Sequence, residues 1–160
     1  KYNKWVLMIV GNDLSDYAIR KKEYLVNKPD FIDKVVFTGE QKNMRSLLSI
    51  AEIYVQPTLD IGGGEGGPVS TLEAMANGKI IIGSNISGIR DQLLDQFPDH
   101  LFTAGNITEL QQKLGHFMAN DKYINHQIGN KFIDFVDTTF NINIQKIKSE
   151  LFYKKLIKLL

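Results

Sequence analysis

Residues 65–78 read EGGPVSTLEAMANG, and the six residues before them read LDIGGG. Five of the six residues at positions 62–67 are glycine. Glycine is costly in a packed domain unless the backbone needs a positive φ or something must come close to it. The stretch then turns helical: Pro68 suits the first turn, where its missing N–H does no harm, and Asn77-Gly78 suits the end. A bare loop running into a helix start offers backbone N–H groups and the positive end of the helix dipole to an anion. Two glutamates, Glu65 and Glu73, flank that start. Their directions differ by about 80° on a regular helix, so both can border one cleft without touching.

Around this stretch, apolar runs alternate with helical segments. Strands are expected at residues 5–10 (WVLMIV), 34–38, 52–55 and 79–83, with a short fifth at 101–102. The first is continuously apolar and reads as a strand buried on both faces of a parallel sheet. Helices are expected at 13–25, 43–50, 69–76, 107–119, 122–136 and 142–160, with a helical turn at 89–94. The alternation predicts an α/β fold with a Rossmann-like parallel sheet flanked by helices, as a single domain over residues 1–160, the helices from about 106 packing on the sheet. The 160 residues carry a net charge of +1, which argues neither for nor against nucleic acid. The absence of cysteine excludes disulfides, thiolate metal sites and thiol catalysis, and fits a reducing compartment. No apolar run reaches the length of a membrane span.

Residues 62–67 also match G-x-G-x-x-G, a dinucleotide-binding signature. That reading wants an acidic residue after the next strand to hold a ribose diol, and here the strand KIIIG ends in Ser84-Asn85. A Walker loop fails for want of Gly-Lys-Ser/Thr. A plain flexible loop leaves the two glutamates unexplained. His100, His116 and His126 lack metal-ligand spacing.

The order VVFTG (35–39), LLSIAEIYVQPT (47–58) and EGGPVSTLEAMANGKIIIGSNISGI (65–89) resembles the carboxy-terminal half of the group 1 glycosyltransferases, the retaining enzymes of sequence family 4. The resemblance rests on Gly39, Ala51-Glu52, Pro57-Thr58, the E-x7-E pair Glu65 and Glu73, Glu73-Ala74-Met75-Ala76 with Gly78, and Ser87-Gly88-Ile89 with Asp91. It runs from about residue 5 to 120. It implies a GT-B enzyme, in which two Rossmann-like domains face each other across a cleft and the carboxy-terminal one binds a nucleotide-diphosphate sugar, in polysaccharide biosynthesis or similar glycan assembly. By this resemblance Glu65 is the catalytic candidate, near the donor sugar and its departing phosphate. Glu73 takes the ribose hydroxyls, Gly66 and Gly67 present N–H groups to the sugar and diphosphate, and Thr38 and Gly39 lie near base and ribose. No cofactor or metal is implied, and the chain has no Asp-x-Asp to hold one.

Three departures stand out. The family's Glu-Gly-Phe-Gly is Glu65-Gly66-Gly67-Pro68 here, Asp91 stands where Glu is usual, and the strand and helix that precede WVLMIVG in the family, with an Arg and a Lys for the diphosphate, have no counterpart. The expectation is therefore a piece of a longer cytoplasmic enzyme, without its first strand and helix or its acceptor domain, and inactive alone. Its acceptor would be a glycan or a lipid-linked glycan, and strand edges left open would favour dimers. The basic tail KIKSELFYKKLIKLL would close across the other domain, or lie on the inner face of the membrane. The competing functional class is a Rossmann-like module that binds a ligand without chemistry.

Overall fold

The computed structural model describes residues 5–11, 15–61, 66–93 and 96–157. The chain forms two compact units, residues 1–44 and 45–160.

In the first unit, β1 (Leu7–Val10) pairs in parallel with β2 (Val35–Gly39), Leu7 opposite Val35 and Ile9 opposite Phe37, and the register shifts between Ile9 and Val10. Helix α1 (Asp16–Val26) connects them; Ser15 caps it by accepting a hydrogen bond from the Ala18 amide at 3.2 Å. A 3-10 turn at Pro29–Phe31 returns the chain, and Trp5 meets the edge of Phe31 at 6.5 Å. Sequence reading expects β1 to be buried on both faces, but Leu7 is 46% and Val10 38% exposed. The reason is pairing: among the described residues β1 has β2 as its one neighbour, and a two-stranded parallel sheet cannot enclose a strand.

The second unit is built on a three-stranded parallel sheet ordered β3 (Ile53–Gln56), β4 (Ile80–Ser84), β5 (Leu101–Phe102). All five residues of β4 are buried. Their alternation divides the core. Ile81 joins Ala74 and Met75 of α3 (Val69–Ala76), Ile89 and Leu93 of α4 (Ser87–Leu93), Leu48 of α2 (Met44–Ile50), and Phe132 and Phe135 of α6 (Lys122–Thr139). Ile80 and Ile82 join Phe102 and Phe117, the latter on α5 (Ile107–Ala119). Each such isoleucine contributes about 1.5–3 kcal/mol through removal from water.

The punctuation follows local chemistry. Helix α3 ends in a Schellman motif: Gly78 at φ +66 lets its amide reach the Met75 carbonyl (2.9 Å) and the Lys79 amide reach that of Ala74 (3.0 Å). Gly129 of α6 packs directly on the Gly78 carbonyl, where any β-carbon would collide. Asn106 caps α5 by accepting from the Glu109 amide (3.0 Å), and Glu109 accepts from the Thr103 amide (2.9 Å), which holds its carboxyl below the usual range.

The last helix, α7 (Ile142–Ile157), buries none of its residues. Its exposed Phe152 and Ile157 point about 100° and 240° away from Leu151, so apolar side chains lie on several sides rather than one face. Among the described residues no helix is long and apolar enough to cross a membrane.

Candidate functional site

Of the site residues read from the sequence, Thr38 and Gly39 lie at the carboxy-terminal end of β2, the end of a strand where ligands of open α/β sheets bind. In the first unit Gly11 (φ +119) follows β1 and Gly39 (φ +66) ends β2, and a hydrogen bond from the Gly11 amide to the Gly39 carbonyl at 2.9 Å joins them. A β-carbon on Gly39 would meet nothing within 4 Å, so its surroundings are open and the positive φ is what calls for glycine. The hydroxyl of half-buried Thr38 donates to the Gly39 carbonyl at 3.1 Å, and Gln41 Nε2 donates to the Thr38 carbonyl at 2.6 Å.

In the second unit β3 leads through Pro57 and Thr58 toward the entrance of α3. Glu65, the catalytic candidate, lies outside the described residues, as do Gly62, Gly63 and Gly64. Gly66 is exposed, and a β-carbon there would meet nothing within 4 Å. Gly67 has φ +101 and sits against α4: its missing β-carbon would come 3.2 Å from Gln92 Nε2 and 3.6 Å from the Gly88 carbonyl. Pro68, read as a first-turn residue, is instead the N-cap, with φ −65 and ψ 126, and its own side chain makes no capping hydrogen bond. Among the described residues no side chain accepts from the N–H groups of the first turn.

Helix α3 is two-sided. Thr71, Ala74 and Met75 are buried, while Val69, Glu73 and Ala76 are exposed. The apolar neighbours of Glu73 in sequence suggest a sheltered carboxylate; the structure places it on the outward face instead, because Ala74 and Met75 occupy the inward one. Among the described residues no hydrogen bond or ion pair engages the Glu73 carboxylate, which leaves both oxygens able to accept from a vicinal diol. Gly66, Gly67 and Glu73 thus share one helix and its entrance, while Thr38 and Gly39 belong to the first unit. Asp91, at the position of the family's Glu, is exposed on α4 and accepts from Ser87 Oγ at 3.3 Å.

Two features escape sequence reading. Gln92 is 6% exposed, on the inward side of α4 with Ile89 and Leu93, and its Nε2 donates to the Pro68 carbonyl at 2.9 Å. Its spacing from Ile89 marks a core-facing position, so a polar residue there was the available signal. The Tyr54 hydroxyl of β3 bridges the Gln56 side-chain carbonyl and, at 2.8 Å, Ser70 Oγ in the first turn of α3; Gln56 Nε2 in turn donates to Thr58 Oγ1 at 3.1 Å. This polar chain ties the end of β3 to the start of α3.

The sequence matches the family model described as glycosyl transferases group 1 over residues 1–132. The chain belongs to that family. It is 30% identical over 115 residues to a phosphatidyl-myo-inositol mannosyltransferase of Mycobacterium leprae, covering 72% of this chain and 29% of that protein. Among solved structures, a glycosyltransferase of Rickettsia africae superposes with a TM-score of 0.80 at 18% identity, covering 97% of this chain and 41% of the other. The Anabaena protein HepE in complex with UDP superposes at 0.73 and 16% identity, covering 91% and 41%. The carboxy-terminal domain of the Francisella tularensis group 1 protein LpcC superposes at 0.73 and 21% identity, covering 89% and 73%. The group 1 fold is therefore shared, and this chain spans less than half the length of the mannosyltransferase and of the Rickettsia and Anabaena proteins.

Proposed function

We propose that residues 1–160 form the donor-binding domain of a retaining glycosyltransferase, holding a nucleotide-diphosphate sugar without a metal ion. The observation that carries this reading is the entrance of α3, where no side chain among the described residues caps the helix and the exposed Gly66 and the positive-φ Gly67 lead in. A leaving diphosphate gains most from oriented N–H donors at such a helix start, where charge develops as the sugar bond breaks. In this reading Gly66 and Gly67 face the diphosphate, Glu73 accepts from the two ribose hydroxyls, and Glu65 acts beside the donor sugar. The Mycobacterium relative's name supports a lipid-linked or glycan acceptor, and the UDP complex of HepE supports a nucleotide-sugar donor.

Three further points belong to the same proposal. A cytoplasmic location draws support from the lack of cysteine. The edges of β1 and β3, each with one strand neighbour among the described residues, support association between chains. Lysines 146, 148, 154 and 155 among the exposed apolar residues of α7 support contact with an anionic membrane surface, although apolar groups on several sides of α7 suit a protein partner better.

Titration calorimetry with UDP-, GDP- and ADP-sugars tests the donor site. One nucleotide class binds, and Glu73→Ala abolishes that binding while shifting stability by less than about 0.5 kcal/mol, because the side chain is exposed. Absence of binding to all three classes would sink the reading. Binding with no sugar transfer by the whole enzyme would favour the non-catalytic module.

A further inference from the structure

We propose that Gln92 is the positioning residue that sets the α3 entrance for the diphosphate, acting through Gly67 and Pro68 and not by touching the donor. The inference rests on the donor-site reading above. Gln92 lies on the inward face of α4 and its side-chain amide underlies the entrance: Nε2 donates to the Pro68 carbonyl at 2.9 Å, and the space where Gly67 would carry a β-carbon is 3.2 Å from the same nitrogen. The orientation of the amide is determined, since a carbonyl can face only the donor end.

That leaves Gln92 Oε1 buried with no hydrogen-bond partner among the described residues. A buried acceptor without a partner is destabilising, and the neighbouring inward residues of α4, Ile89 and Leu93, are apolar. A leucine at 92 would serve the core better than glutamine does. What the amide does that leucine cannot is grip the carbonyl of the N-cap residue. The Pro68 carbonyl also accepts from the Thr71 amide at 3.1 Å, the first hydrogen bond of the helix. By fixing that carbonyl, Gln92 fixes the plane of the peptide joining Pro68 to Val69. By occupying the space beneath Gly67 it holds the glycine at its positive φ. Both set the direction of the N–H groups that open α3. Proline in place of a hydrogen-bonding cap residue removes the usual means of steadying a helix start, and Gln92 supplies another from below.

The test compares UDP with uridine, and likewise GDP with guanosine and ADP with adenosine, for the intact chain and two variants. Gln92→Met keeps length and packing but has no donor; Gln92→Asn keeps the amide but falls a methylene short of Pro68. Circular dichroism and thermal unfolding establish that each variant is folded. In either folded variant the affinity for the bound diphosphate falls roughly tenfold, the scale of one lost buried hydrogen bond, while its nucleoside binds as before, and the Gly67 and Val69 amide resonances shift. Equal losses for nucleotide and nucleoside, or unchanged affinity for both, overturn the positioning role and leave the donor site standing. An intact chain that binds none of the nucleotides overturns both.

Discussion

His100 Nδ1 lies 2.7 Å from the carbonyl oxygen of Ile81, in the middle of the buried central strand. A carbonyl only accepts, so Nδ1 carries a proton and donates it to Ile81. The ring is stacked on Phe117 with centroids 4.7 Å apart and meets the edges of Phe132 (4.9 Å) and Phe97 (5.9 Å). Burial outweighs the Ile81 hydrogen bond and the nearby Asp99 charge, which favour the cation, and Lys113 and His116 add to it, so the imidazole is held below its ordinary pKa of 6.5.

Because this pKa is depressed in the folded state, the unfolded chain takes up a proton first as pH falls. The contribution is fully present above about pH 6.5 and is lost as pH drops below that value toward the folded pKa. Urea titrations from pH 8 to pH 5 will show the midpoint falling across that window. In His100→Asn, whose side-chain amide can still donate to Ile81, the slope flattens. An unchanged slope would count against the buried neutral ring.

Gly66 and Gly67 separate what the fold needs from what a ligand needs. Gly67→Ala forces a side chain onto positive φ and against the Gln92 amide, and will cost about 1–2 kcal/mol in denaturant titrations. Gly66→Ala meets nothing and will leave stability within about 0.5 kcal/mol, yet place a methyl where a diphosphate would approach. Nucleotide affinity should fall in both variants. Undiminished affinity in Gly66→Ala would place the phosphates elsewhere.

Gly129→Ala should destabilise the chain by about 1–3 kcal/mol, although alanine is the better helix former by about 1 kcal/mol. The added methyl meets the Gly78 backbone, which belongs to the Schellman turn and cannot swing aside as a side chain could. Guanidinium unfolding measures this directly; a neutral or stabilising result would mean that α6 can slide away from the corner.

Tyr54→Phe removes the hydroxyl shared by Gln56 and Ser70 and should cost about 1 kcal/mol. Hydrogen exchange read by NMR should quicken at the first turn of α3 and stay unchanged at β4. Uniform quickening would mean that the hydroxyl supports the whole unit rather than this junction.

The succession of elements is legible because strong punctuation sits between them. Pro57 stops β3, Gly78 ends α3, and Asn106 and Asp121 begin α5 and α6, so most observed bounds fall within one to three residues of those expected. The exposure of β1 is not legible, because an apolar run states what a strand prefers and not how many neighbours it finds. The 3-10 turns at Pro29–Phe31 and Pro98–His100 are too short for periodicity to mark. At the site, the glycine-bare entrance and the glutamate that follows it are written in contiguous residues. The link from Gln92 to Pro68 spans 24 positions, and no local pattern announces it.

Helix α3 is held at both ends, by Gln92 on its first carbonyl and by Gly129 against its closing turn. In the proposed donor site, such a helix has little freedom to tilt toward one sugar or another. Descendants with new donor preferences would have to exchange outward-facing side chains, such as those at positions 69, 73 and 76, and inherit the angle of the helix unchanged.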